Sequence, residues 1–369
     1  MKALIFLLAL LISLPGRAAT CDWPQWQQFQ SIYIVNGRVV DGSDARQITT
    51  SEGQSYALFF ALVANDRAMF AELLNWTQTH LASGDLTARL PAWQWGRQAS
   101  GRFGVLDANP ASDSDLWIAY TLAEAGRLWD NFYYQSLAHL LASRIMREET
   151  VLIDGLGTVL LPGISGFELG DGQYSVNPSY VPLQIMARFR ALYPHDDWAS
   201  LYQTSQALML ATMPAGFSPD WAKASRAGFH LDPQTGFTGS YNAIRSYLWA
   251  GMLSDASPEK AALVAAMQPM VAATARLSAP PREVNTSNGK FQQSGSAGFS
   301  AAMLPLIHAS GEQALLKTQA ERAAAMLVSQ PDDYYYDNVL ALFGLGWHQA
   351  RYRFDVDGKL LPAWENQCQ

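Results

Sequence analysis

Cysteine is nearly absent. Among 369 residues it occurs only as Cys21 and Cys368, at opposite ends of the chain. A disulfide-stapled scaffold and a thiolate metal cluster are thereby excluded. One bridge between the two and a pair of free thiols both fit, because sequence alone does not place them within bonding distance. The six histidines, His80, His139, His195, His230, His308 and His348, are scattered without ligand spacing, so no metal is expected. No glycine-rich phosphate loop occurs, so no nucleotide cofactor is expected. Charged residues make up only 15% of the chain, with a net charge of −7, and no nucleic-acid partner is expected. There is no solenoid-type repeat. The length would permit two domains, but no linker or shift of composition divides the chain.

What is present is apolar and aromatic: 49% hydrophobic residues and 12% Phe, Trp and Tyr. That supports a large core and excludes disorder. The N-terminus reads as a secretory signal over residues 1–20. Lys2 is the basic start, Ala3 to Leu14 the apolar run, and Pro15 to Thr20 a mostly small-residue end. Its apolar run is too short to span a bilayer, and no later run is long and uniform enough to do so. Cleavage near Thr20 and Cys21 would remove Lys2 and Arg17 and no acid, leaving a more acidic mature chain of residues 21–369, expected as one domain. Thr20 is a poor residue to precede a lipidated Cys21.

Helix follows helix. The hydrophobic pattern predicts helices at 23–33, 54–65, 67–82, 114–129, 132–148, 182–193, 197–212, 241–253, 258–276, 297–309, 313–329 and 333–348. Some are apolar nearly all round, as at Ala57–Ala64 and Leu116–Leu128. Others carry a charged face, as at Lys317, Glu321 and Arg322. Alternating buried and half-exposed helices suggest two concentric layers. Strand-like runs are few: 151–153, 159–161 and 352–354. About twelve helices with long joints fit an all-α toroid, an (α/α)6 barrel, better than a solenoid, which would need a repeat.

Two helix starts carry acids. In Thr49-Thr50-Ser51-Glu52-Gly53-Gln54, Ser51 and Gln54 have the spacing of a capping box, which puts Glu52 in the first turn. In Ser112-Asp113-Ser114-Asp115 the acids again open an apolar helix. Each taken alone is explained by helix capping and the helix dipole. Together, beside aromatic loops, they point to paired carboxyl chemistry. Trp93 and Trp95 lie in one loop, Tyr180 follows Asn177-Pro178-Ser179, and Trp221 ends Phe217-Ser218-Pro219-Asp220. Sugar rings suit such a cleft: their C–H faces lie on aromatic rings and their hydroxyls pair with amides and carboxylates. Glycoside hydrolysis in turn needs two carboxyl groups across the scissile bond.

The chain resembles glycoside hydrolase family 8 over essentially its whole mature length. The resemblance rests on Ser43–Arg46 with the Glu52 stretch, Leu90–Gly96, Ala111–Trp129, Asn177–Tyr180, Phe217–Trp221, Ser240–Arg245 and Gly298–Met303. Within the demanding Ala111–Trp129 signature, Ser114, Thr121 and Ala123 are small departures. The resemblance implies an (α/α)6 barrel, an open cleft for a glucan chain and endo-1,4-β-glucanase activity with inversion. It further implies action in the periplasm and a functional link to the cellulose synthase export complex. Glu52 matches the proton donor. Asp113 matches the signature Asp, described for the family either as a nucleophile or as a support for the sugar at the cleavage point. Inversion favours the support role, since no covalent intermediate forms. Trp93, Trp95, Tyr180, Trp221, Asp115 and Arg245 are expected to bind the sugar chain.

Asn242 departs from the pattern. The nearest relatives carry Asp there as the base that activates water, and an amide cannot take that proton. A branch of chitosanases and some xylanases has Asn at this place and uses a loop Glu. Glu283 and Asp232 are the candidates for such a base here. The alternatives to a β-1,4-glucanase are therefore a weakly active glucan-binding protein and a chitosanase-type enzyme with another base.

Overall fold

The computed structural model describes residues 22–325 and 334–366. The expected signal segment, both cysteines and the expected helical residues 326–329 and 333 lie outside these. Helices dominate: α1 (Pro24–Tyr33), α2 (Ser51–Val63), α3 (Arg67–Leu81), α4 (Ser112–Leu128), α5 (Phe132–Glu148), α6 (Leu183–Leu192), α7 (Trp198–Ala211), α8 (Ala243–Met252), α9 (Lys260–Ala266), α10 (Gln268–Leu277), α11 (Ala297–Ala309), α12 (Gln313–Ala325), α13 (Tyr335–His348) and α14 (Ala363–Asn366).

Burial sorts them into two layers. In α2, α8 and α11 nearly every residue is buried, and α4, α6 and α13 are close to that. A helix apolar all round must be covered on all sides. These helices therefore form the inner ring, packed in the order α2, α4, α6, α8, α11, α13. Phe343 of α13 closes the ring against Tyr56, Phe59 and Phe60 of α2. Helices α1, α3, α5, α7, α10 and α12 bury one face only and lie outside. The fold is an (α/α)6 barrel, as the hydrophobic pattern and the resemblance predict.

Aromatic rings fill the middle of the barrel. Trp117, Trp249 and Tyr56 all meet Phe343, with centroid separations of 5.3, 5.2 and 5.0 Å. This plug is a floor, and the barrel is closed beneath the mouth. Where α11 and α13 cross, Gly344 permits the approach: a Cβ there would stand 1.9 Å from the Ala301 carbonyl oxygen.

Three local expectations are corrected. The helix expected over 258–276 breaks at Met267, because Pro269 in the first turn of α10 has no N–H to continue the ladder. The capping box is out of register. Thr50 is the N-cap, its Oγ1 accepting from Gly53 N at 3.0 Å, and buried Gln54 instead accepts from Val39 N at 2.6 Å and donates to Thr77 Oγ1 at 3.0 Å. Strands are more numerous than expected. The loops fold into hairpins such as Gln94–Arg97 with Phe103–Asp107, and Pro281–Asn285 with Lys290–Ser294. The last of these strands is exposed along most of its length, so no alternation of apolar residues announces it.

Candidate active site

The mouth lies at the N-terminal ends of the inner helices. The first turns of α2, α4 and α8 meet there, and their dipole ends favour negative charge. Ser51 Oγ and Ser114 Oγ lie 2.6 Å apart and tie α2 to α4. That contact fixes Glu52 and Asp113 relative to one another.

Arg245 joins them. Its side chain is 3% exposed. Nη1 contacts Glu52 Oε2 and lies 3.4 Å from Asp113 Oδ2. Nη1 also donates to Tyr56 Oη at 3.2 Å, and Nη2 donates to Asn242 Oδ1 at 2.9 Å and Ser179 Oγ at 3.1 Å. The guanidinium stands 5.7 Å from the Tyr180 ring centre. Burial pulls it below its ordinary pKa. Glu52, Asp113, Asn242, Arg245 and Tyr180 are thus brought together at one rim.

Asp113 is buried, and burial pushes its carboxyl up to about 7 against the opposing Ser114 N–H, which it accepts at 2.8 Å. Asp115 goes elsewhere. It is fully buried beneath the rim, hydrogen-bonded to Glu149 at the C-terminus of α5, and does not face the cleft. Neither carboxyl has a donor from any other described group, so their mutual bond needs a proton on one of them. Burial raises both pKa values well above the ordinary range.

Asn242 sits in a braced loop. Asp220 Oδ1 accepts the backbone N–H groups of Ser240, Asn242 and Ala243 at 2.9, 3.1 and 2.8 Å. Ser240 Oγ donates to Arg282 O at 2.7 Å, and Tyr336 Oη to Tyr241 O at 2.8 Å. A cavity of about 340 Å³ opens here, lined by Asp41 and Glu52 on the α2 side, Asn242 and Arg245 on the α8 side, and Tyr335 and Tyr336 on α13.

The aromatic loops divide. Trp221 lies parallel to Phe167, centroids 6.2 Å apart, and 6.4 Å from Tyr180, forming a half-buried aromatic wall. The Trp93 side chain hydrogen-bonds to the Asp107 carboxyl, holding that group below its ordinary pKa. Trp95 is packed in: Phe103 stacks on it at 5.1 Å and the Arg38 guanidinium stands 4.4 Å from its centre. Neither of the suggested bases lines this cavity, though the carboxyl of Asp220, behind the Asn242 loop, is pushed up by burial and, to a smaller degree, by nearby Glu283. Glu283 lines a different cavity, of about 680 Å³, beside Arg276 and Lys290. Asp232 caps a short turn and pairs with Lys223 at 3.2 Å.

Sequence reasoning gives no role to Asp41, Asp220, Glu149, Phe167, Tyr335 or Tyr336. Asp220 is visible as the acid in an aromatic motif. The Tyr334–Tyr336 run is visible at a helix start. Asp41, in a glycine-containing turn, carries no signal.

A helical barrel whose mouth gathers two carboxyl groups from separate inner helices, a buried arginine between them and aromatic walls is built to cleave bonds between sugars: the protein is a glycoside hydrolase. The model for Glycosyl hydrolases family 8 matches residues 3–350, and the chain belongs to that family. An endoglucanase of Salmonella typhi is 46% identical over 373 residues, covering 100% of this chain and 98% of that protein. An endoglucanase of Escherichia coli K12 is 46% identical, covering 97% and 96%. The solved structure of the endo-1,4-D-glucanase from Vibrio fischeri ES114 is 54% identical, with a TM-score of 0.87 over 94% of this chain and 100% of that one.

Proposed function

We propose that the protein is an endo-1,4-β-glucanase that hydrolyses β-1,4-glucan with inversion, Glu52 being the proton donor. The observation that carries this reading is the convergence of Glu52 and Asp113, from separate inner helices, on Arg245 at a mouth with aromatic walls. In the reaction Glu52 protonates the glycosidic oxygen as its bond to C1 breaks. Asp113 holds the hydroxyls of the sugar at the cleavage point. Trp221 and Tyr180 support the rings of neighbouring sugars, and Trp93 extends the track. Trp95 has its faces occupied within the protein and fixes the loop that presents Trp93.

A cation touching Glu52 favours its charged form, the wrong form for a donor. Substrate must therefore part Glu52 from Arg245. When it does, Arg245 keeps its hydrogen bonds to Asn242, Ser179 and Tyr56 and has Asp113 Oδ2 at 3.4 Å as its remaining acidic neighbour.

The apolar, small-residue pattern of residues 1–20 supports export to the periplasm. There a glucanase would trim the chain that a cellulose synthase complex delivers. A second reading, glucan binding with slow turnover, is favoured by Asn242, which cannot take a proton from water.

The test is release of reducing ends from short β-1,4-glucan oligosaccharides, carboxymethyl cellulose, chitosan and xylan side by side. Cleavage of the glucans ahead of the others supports the proposal. Preference for chitosan or xylan, or no cleavage of any, overturns it.

A further inference from the structure

Inversion requires a base for the attacking water, and the usual position is an amide. The acids suggested by sequence, Glu283 and Asp232, do not line the cavity that holds Glu52 and Asn242. Among the described residues lining that cavity, the only carboxyl besides Glu52 is Asp41.

Its local structure suits a fixed, available carboxylate. Asp41 is bridged by its backbone to Ile48, at the root of the turn that leads into α2. Its Oδ1 accepts from Ser43 N at 2.9 Å, which sets the carboxyl plane. Among the described residues no cation pairs with it, and it is half-buried rather than sealed. It neither bonds to Glu52 nor shares Arg245 with it. Asn242 stands at the start of α8, across the ring from α2. Its Oδ1 is engaged by Arg245, which leaves its NH2 group to donate to a water in the cavity.

We infer that Asp41 is the general base of this enzyme, taking the proton of a water that Asn242 orients. The inference rests on the glucanase reading above. The water oxygen bonds to C1 while the C1–O4 bond breaks. The Glu52 proton goes to O4 of the leaving chain, and the water proton goes to Asp41. The products are an α-configured reducing end and a free 4-hydroxyl. Asp41 returns its proton to solvent and Glu52 takes one up, which restores the starting state.

The experiment compares the native protein with Asp41→Asn, Asn242→Asp and the double variant on cellohexaose, with and without sodium azide, checking each for a native melting transition. Asp41→Asn should lower kcat by about 10²–10⁴-fold with little change in KM, the range a general base contributes. Azide, which needs no base, should restore cleavage and yield an α-glycosyl azide. The double variant should recover much of the rate, because the carboxylate introduced at position 242 would then take the proton. A folded Asp41→Asn variant within about tenfold of native overturns the inference and leaves the glucanase reading intact. If Asp41→Asn fails to fold, Asp41→Glu decides: a depressed kcat with an unchanged KM and a shifted acidic limb of the pH profile supports the role, and a native profile overturns it. A native protein inactive on every glucan, but made active by Asn242→Asp, overturns it too. Inactivity of both removes the glucanase reading itself, and this inference with it.

Discussion

Arg245 Nη2 donates to Asn242 Oδ1 at 2.9 Å while Nη1 of the same guanidinium contacts Glu52. The position that departs from the usual pattern is thus wired through one buried cation to Glu52, the proposed proton donor. Residue 242 influences the site through Arg245 as well as through water, and the predictions below follow from that arrangement.

Glu52→Gln keeps the shape of the side chain and loses the proton. Hydrolysis should fall by about 10²–10⁴-fold, while titration calorimetry with cello-oligosaccharides shows binding close to native. Activity within about tenfold of native would take the donor role from Glu52.

Asp115 and Glu149 predict a pH dependence of stability. Their folded pKa values lie above the ordinary carboxylate value of about 4, so the folded protein keeps a proton that the unfolded chain releases. Stability is therefore lost as pH rises above about 4 toward the raised values. The melting temperature should drop as pH rises above about 4, and Asp115→Asn, which cannot ionise, should shrink that drop. Equal drops in both proteins would show that the pair does not titrate in this way.

The aromatic residues should separate by role. Trp221→Ala should raise KM for long cello-oligosaccharides with little effect on melting, because its ring forms part of the aromatic wall with Phe167 and Tyr180. Trp95→Ala should do the reverse, since it removes a ring packed against Phe103, Trp76 and Arg38. Matching effects from the two variants would contradict the division.

Gly344→Ala tests the packing of the barrel. The added methyl would collide with the Ala301 carbonyl, and overpacking of this kind costs about 1–3 kcal/mol. A clear fall in melting temperature is expected, with unchanged affinity for sugar in the folded fraction. A neutral result would mean that α11 and α13 part easily.

Much of this is legible in the sequence, for a definite reason. The run Ala57–Leu62 is apolar on every side, which only an inner helix tolerates, and the acids at two helix starts announce the rim. The cap of α2 is misplaced by one residue because Thr50 and Ser51 are equally good caps in isolation, and the buried contact of Ser51 with Ser114 decides between them. Asp115 cannot be told from Asp113 by type or spacing, since their difference lies in Glu149, a residue of another helix. Asp41 and Asp220 reach the site across gaps in sequence, Asp41 by lining the cavity that holds Asn242 and Asp220 by accepting the Asn242 N–H. No local pattern records such an approach.

The central claim is hydrolysis of β-1,4-glucan with inversion, and the anomeric form of the first product tests it most directly. Proton NMR of cellohexaose during early hydrolysis should show new reducing ends appearing as the α-anomer, before mutarotation mixes them. New ends appearing first as the β-anomer would mean retention through a covalent intermediate and would contradict the account.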